Sequence, residues 1–539
     1  MRTRTFASPR ALLSLGIAGL TAAAVLPALA TGATHHDVAS VVNCPSVAVA
    51  HYAGQTLLNP QPDNLPLACG GTTGFAGAES HVVALPSGDV VVTPAVVPSG
   101  FLGIDTPPVS FEKNTQSNAS PAGIAITRDQ GEHWSFVRPS GVTWNPTDHG
   151  DYVDPTTGRL FFEDYGPIPV APKFGSDQEG PAHINWSGDG GTTWHHTAIR
   201  TVFLPENPRF ASGVAPVGQP KPTGYPNVMY FCANTNVGFT APAIAGRLCF
   251  RSLNGGTKWQ RGAVLFTGLV PQHPECGPHG EQYTAIDGNY PQSTRNGYLY
   301  VMVSCGGTTY LARSTDEAKS FPVLHVDGAP LTLPVPPGGG IGGGADFRIG
   351  PDDTMYLMYQ TGSALMLRVS NDLGLTWSPE YNVVAPGVTA ISKWAFTSGD
   401  TGQVAVAYLG QRAGQTTWDG YLTETLDAGS ALTSGPGPVF FSGQVNSPSR
   451  PLLYGDGIQG SGYIGLPKDH NAPFPPPFNN QSTGNDFIGS TIASNADAFG
   501  SFTQDCGPSP KSAGCRAQND QTRGYVGFFR WPPGLPHTG

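Results

Sequence analysis

The sequence predicts an all-β chain folded as a single β-propeller of four-stranded antiparallel blades, and three observations predict it. An eight-residue string recurs six times at intervals of 55 to 65 residues, and self-similarity at such a period marks a repeat architecture. An apolar, strand-like run stands ahead of each copy. The composition, with 71 glycines, 52 prolines and only 12% charged residues among 539, suits many short strands joined by turns rather than helices.

The string is clearest in Ser187-Gly188-Asp189-Gly190-Gly191-Thr192-Thr193-Trp194. Residues 370–377 (SNDLGLTW) keep its Ser, Asp, Gly, Thr and Trp at the same offsets. Residues 127–134 (TRDQGEHW) and 252–259 (SLNGGTKW) are close variants, 314–321 (STDEAKSF) is looser, and 425–432 (TLDAGSAL) is degenerate. An Asp followed two residues later by Gly makes a tight turn. The carboxylate accepts backbone N–H bonds inside the turn, and the Gly supplies the positive φ that other residues resist. The Asp is therefore structural, and the aromatic enters the next strand and packs over the hairpin. The spacing S-x-D-x-G-x-T-W resembles the Asp-box, or BNR repeat, of the sialidase superfamily of β-propellers, and the resemblance covers roughly residues 77 to 505.

In chain order, Arg2, Arg4 and Arg10 precede an apolar run from Ala11 to Leu29 that ends in Ala28-Leu29-Ala30. A basic segment, a short apolar core and an A-x-A site read as a secretory signal peptide over residues 1–30. Gly and Pro interrupt the run, which argues against a membrane anchor, and no other stretch is apolar for long enough to span a bilayer. Residues 31–76 read as an N-terminal lead-in, 77–531 as the propeller, and 532–539 as a C-terminal tail. The tail ends in Leu535-Pro536-His537-Thr538-Gly539, which is similar to the sorting signal of wall-anchored proteins but has no hydrophobic tail behind it. Secretion is the expectation, with wall attachment the alternative.

The apolar runs are Asp89 to Val96, Arg159 to Tyr165, Val228 to Asn234, Tyr298 to Cys305, Met355 to Gln360, Val404 to Leu409 and, without a following string, Ala498 to Thr503. Short strands stand just upstream of several of them, as in His81 to Leu85, Phe347 to Ile349 and Trp394 to Thr397. One unit thus reads strand, turn, strand, loop, strand, octapeptide, strand, which is a propeller blade. Taken as inner-strand signals, the seven runs favour seven blades; the six octapeptides would also fit six. Eight cysteines in an exported chain imply disulfides, and sequence proximity suggests Cys44–Cys69, Cys232–Cys249, Cys276–Cys305 and Cys506–Cys515. The last pair could take the place of the missing turn in the seventh unit. A net charge of −10 argues against nucleic acid as a partner, since phosphate binding needs clustered Lys and Arg. No membrane insertion is expected, and a monomer is.

Ligands of a propeller usually lie at one mouth of its central channel, where polar groups converge. The residues at the start of the short strands are Glu79 and His81, Asp148 and His149, Arg209, His279 with Glu281 and Tyr283, Asp346 with Arg348, Lys393 with Trp394, and Asp486. The resemblance implies a carboxylate-gripping set of arginines, a Tyr–Glu nucleophile pair and an Asp acid/base. On these positions that gives Asp148 as acid/base, Glu281 activating Tyr283, and Arg209 with Arg348 as anion clamp, with His81, His149 and Trp394 as further substrate contacts. Where the family has an arginine in an F/Y-R-I-P motif of its first blade, this chain reads Glu79-Ser80-His81-Val82-Val83. Its nearest string, Phe347-Arg348-Ile349-Gly350, lies in the fifth unit without the proline. The leading function is a sialidase-like glycoside hydrolase acting on an extracellular glycan. The alternatives are a non-catalytic propeller that binds a glycan, wall component or protein, and a polysaccharide lyase using a His with Tyr or Arg. No cofactor is expected; Asp and His at the channel leave a structural calcium open, although no DxDxDG-type loop supports one.

Overall fold

The computed structural model describes residues 36–52, 58–76, 80–96, 122–137, 139, 150–165, 181–203, 206–236, 244–266, 291–305, 308–336, 344–454, 488–495, 497–505, 507–508 and 523–533. It is a seven-bladed β-propeller of four-stranded antiparallel blades. Among the described residues there is no α-helix, and no helix long and apolar enough to cross a membrane. Residues 1–30, read as a signal peptide, and the terminal Leu535–Gly539 string lie outside them.

Blade 1 runs through His81–Ala84, Val90–Val96, Ala122–Thr127 and His133–Val137; blade 2 through Asp151–Val153, Leu160–Tyr165, Pro181–Ser187 and His195–Phe203. Blade 3 comprises Glu206–Gly213, Val228–Asn236, Ile244–Ser252 and Gln260–Phe266. In blade 4, Gln292–Ser293, Leu299–Cys305 and Thr308–Ser314 are followed by an irregular outer edge held by single bridges to Val323 and Thr332. Blade 5 is Ala345–Ile349, Met355–Thr361, Ala364–Ser370 and Tyr381–Asn382; blade 6 is Val388–Ser398, Val404–Arg412, Thr417–Thr425 and Phe440–Gln444.

Blade 7 closes the ring with both ends of the chain. Its first three strands are Gly489–Ile492, Ala498–Gln504 and Arg523–Arg530, and its fourth is Leu67–Ala76, from the segment read as a lead-in. This explains seven blades with six octapeptides. Each octapeptide joins the third strand of a blade to the fourth, and in blade 7 no chain makes that connection. The suggested Cys506–Cys515 substitute is therefore not needed for that turn; 506 and 515 fall between the second and third strands and outside the described residues. The rest of the N-terminal segment edges the ring: His36–Ala39 pairs with His133–Val137, Asn43–Val47 with Leu67–Ala76, and Val49–His51 with Phe440–Gln444. The Cys44–Cys69 disulfide fastens Asn43–Val47 to the closing strand, and Cys232–Cys249 joins facing residues of neighbouring strands in blade 3. Cys276 and the side chain of Cys305 lie outside the described residues.

The seven apolar runs are the second strands of the blades, not the innermost ones as the sequence suggested. A second strand is covered on both faces by neighbouring blades, so its side chains are apolar in both alternating sets. Met355 and Leu357 face blade 4, whereas Tyr356 and Met358 face blade 6. Seven such buried clusters fill the seven inter-blade seams, including the seam between blades 7 and 1, where Phe499 and Phe528 meet Val90, Val92 and Trp134. The first strands present one flank to the channel, and several are short, as in Asp151–Val153, Gln292–Ser293 and Gly489–Ile492. Close approach there calls for glycine: a Cβ on Gly489 would lie 2.6 Å from the Val82 nitrogen and 2.9 Å from the His81 Cα.

The octapeptides fold alike. In blade 2, Ser187 Oγ donates to Asp189 Oδ1 (2.8 Å) and accepts from the Gly191 N–H (2.8 Å), while Asp189 accepts from the Thr193 N–H (2.8 Å) and hydroxyl (2.6 Å). Gly190 and Gly191 take φ of 69° and 86°, and the Trp194 indole N–H donates back to the Gly191 carbonyl at 2.9 Å. Burial pushes the Asp189 carboxyl up, but the bonds from Thr193 and Ser187 outweigh it, and the group lies below the usual carboxylate range; Asp129, Asp316 and Asp372 behave likewise. In blade 6 the degenerate copy keeps only its opening. Thr425 donates to Asp427 (2.8 Å), and a 3-10 turn over Ala428–Leu432 replaces the rest.

Candidate active site at the channel

All seven first strands run the same way along the channel. Their starts share one face, and the first-to-second hairpins and octapeptide turns share the other. Of the candidates named from the sequence, Glu79, Asp148, His149, His279, Glu281, Tyr283 and Asp486 lie outside the described residues. His81, Arg209, Asp346, Arg348, Lys393 and Trp394 are described.

A cavity of about 620 Å³ occupies the channel, and every blade supplies part of its wall. Successive first strands contribute His81, Asp151, Ser212, Gln292, Arg348, Phe396 and Ser490. Blade 2 presents Asp151, which no sequence motif singled out. It opens a three-residue strand too short to show periodicity, three positions beyond Asp148. Its carboxylate accepts a hydrogen bond from Thr93 Oγ1 in blade 1 at 3.1 Å. The residue is half-buried, its remaining surface facing the cavity. Burial pushes the carboxyl up to about 7, against the downward pull of the Thr93 bond and the Arg209 guanidinium.

Asp346 and Arg348 are two residues apart on one strand of blade 5 and therefore on one face. Arg348 Nη1 pairs with Asp346 Oδ2 at 2.5 Å, and Asp346 Oδ1 accepts the Phe347 N–H at 2.8 Å. The same guanidinium donates to the Phe347 carbonyl (2.8 Å) and lies 4.9 Å over the ring of Phe396. Asp346 is 4% exposed. Burial drives its carboxyl up to about 7, with Arg348 first and Arg209 last among the influences opposing the rise. Arg209 is itself buried and donates to the Pro208 carbonyl at 2.9 Å. Arg348 thus lines the cavity, whereas Arg209 is buried behind it and acts through its charge on Asp151 and Asp346.

His81 is buried on the cavity wall. Trp394 follows a register shift in its strand and packs into the seam between blades 5 and 6, its ring 6.3 Å from Phe396. A second polar network reaches the wall from the seam between blades 2 and 3. The Tyr152 hydroxyl and Ser212 Oγ are 2.9 Å apart, and Ser212 donates to the fully buried Asp154 at 2.7 Å. Burial drives the Tyr152 hydroxyl well above the ordinary tyrosine value. No cluster of three or more His, Cys, Asp or Glu side chains suited to a metal occurs among the described residues.

No protein-family model matches the chain, and no curated protein does. Solved structures similar to it include a protein of unknown function from Dyadobacter fermentans, 13% identical over 76% of this chain and 98% of that one, with a TM-score of 0.39. The Hadza microbial sialidase Hz136 is 13% identical over 62% of this chain and 64% of its own, with a TM-score of 0.37. An α-L-arabinofuranosidase from Fusarium graminearum is 13% identical over 75% and 98%, with a TM-score of 0.35.

Proposed function

We propose that this protein is a secreted glycoside hydrolase whose reaction takes place at the channel, with Asp151 as the proton donor. The Asp151 carboxyl carries the proposal. It sits on the wall of a cavity of ligand size, fixed by Thr93 and lifted by burial to about 7, so it holds a proton at mildly acidic pH where an ordinary carboxyl has lost one. Cleaving a glycosidic bond needs such a group to protonate the departing oxygen. The roles of Asp148, Glu281, Tyr283 and His149 rest on the sequence resemblance alone, as does specificity for sialosides. Secretion rests on the basic-apolar leader and is consistent with two disulfides.

One observation favours a propeller that only binds its glycan. Among the described residues lining the cavity, the other acidic side chain is Asp400, exposed on the hairpin at the far end, so no second carboxyl stands beside Asp151 there. Both functions are tested by offering the purified protein and its Asp151→Asn variant aryl α-L-arabinofuranosides, β-galactosides and α-sialosides. Turnover lost in the variant supports hydrolysis through Asp151. Saturable binding of glycans without turnover means a binding propeller. Formation of an unsaturated product would mean a lyase, and no binding at all sinks the glycan assignment.

A further inference from the structure

We propose that Asp346 is a specificity-determining residue acting through Arg348: by neutralising that guanidinium in the channel wall, it sets the site for uncharged sugars and turns away sugars bearing a carboxylate. This names the substrate class of the glycan-acting site proposed above and rests on that function.

Among the described residues, Arg348 is the guanidinium that lines the cavity, with 11% of its side chain exposed, so an anionic sugar would meet it there. Its Nη1 is directed to its own strand. Nη1 is 2.5 Å from Asp346 and 2.8 Å from the Phe347 carbonyl, and the plane is held over Phe396. Asp346 is anchored in turn by the Phe347 N–H, and its side chain is 6% exposed. Arg209, the second guanidinium, is 3% exposed and acts on both Asp151 and Asp346. The cation at the cavity wall is therefore answered by an acid already in the fold. An incoming carboxylate would have to displace Asp346 from a charge-assisted bond and leave it buried without its partner, the kind of unfavourable arrangement by which a site rejects a wrong ligand.

Asp346→Asn reverses this. The amide oxygen still accepts from Phe347, while the amide NH2 faces Arg348, which loses the charge of Asp346. Titration calorimetry at about pH 8, above the value of about 7 to which burial raises Asp346, compares L-arabinose and D-galactose with N-acetylneuraminate and D-glucuronate. The native protein is expected to bind a neutral sugar at least about tenfold more tightly than either acid. D346N should gain about tenfold or more for the acids and keep its neutral-sugar affinity, and adding R348Q should remove the gain. A native preference for the acids overturns the inference by itself, whether or not the variant folds, and so does a folded D346N without the gain. If the native protein binds none of the four sugars, the glycan-acting function falls and the inference with it.

Discussion

Asp154 locks blade 2 to blade 3, and its removal should be felt both in stability and at the channel. It is fully buried and accepts hydrogen bonds from Ser212 (2.7 Å), Thr157 (2.8 Å), Asn227 (2.9 Å) and the Tyr225 hydroxyl. In Asp154→Ala some of these donors keep other partners: Asn227 has Thr156 Oγ1 (2.8 Å), and Thr157 and Tyr225 have each other (2.7 Å). Those four side-chain bonds at about 1 kcal/mol each, with a longer fifth from the Thr156 N–H (3.3 Å) and less what re-pairing recovers, put the loss near 3 kcal/mol, at the low end of the cost of removing one partner from a buried charged network. Asp154→Asn, which keeps one acceptor oxygen, should lose about half as much, and Tyr225→Phe about 1 kcal/mol. Thermal unfolding of the three variants gives the ranking, because each kcal/mol lowers Tm by a few degrees or less in a chain of this size. Ser212 also positions Tyr152 on the cavity wall, so Asp154→Ala should weaken ligand binding as well. An Asp154→Ala protein that unfolds with the native Tm would refute the assignment of Asp154 as the lock.

Other variants probe the closure and the buried charge. Gly489→Ala would drive a Cβ into the backbone at His81 and Val82, costing about 1–3 kcal/mol as overpacking and disturbing sugar binding, seen as a lower Tm together with weaker affinity. Replacing Cys44 and Cys69 by Ser should destabilise the ring by about 2–4 kcal/mol, with the closing strand Leu67–Ala76 gaining amide exchange ahead of the other blades. Glu424 accepts from Gln403 (2.8 Å) and Trp531 (3.0 Å), and burial raises its carboxyl from 4.5 to about 8. Between those values the unfolded chain holds fewer protons than the folded one, so this group's contribution to stability falls as pH rises from about 4.5 to about 8. The difference in Tm between Glu424→Gln and the native protein should therefore shift in the variant's favour across that window; an unchanged difference would contradict the assignment.

The blades were legible because their signals are local. The octapeptide carries its own hydrogen bonds within eight residues, as Ser187, Asp189 and Thr193 show, and the second strands are apolar on both faces because both faces are covered. What the sequence concealed was non-local. Leu67–Ala76 looks like a lead-in because its partner Arg523–Arg530 is at the other end of the chain, and only that pairing settles why seven blades need six turns. Arg348 could be picked out by its string, but its ion pair with Asp346 depends on strand geometry. Asp151 was missed for the same kind of reason. A three-residue strand offers no period, and its carboxyl gains its character from Thr93, Arg209 and burial in a channel that seven separate segments build.

The most direct test of Asp151 as proton donor is the dependence of Asp151→Asn activity on the leaving group. With an ordinary aryl or alkyl glycoside the variant should lose about a hundredfold or more in kcat/KM, and the native rate should fall as pH rises through about 7. With a dinitrophenyl glycoside, whose leaving group departs without protonation, the variant should approach native turnover in the bond-breaking step. Native-like activity of Asp151→Asn on the unactivated substrate would contradict the assignment.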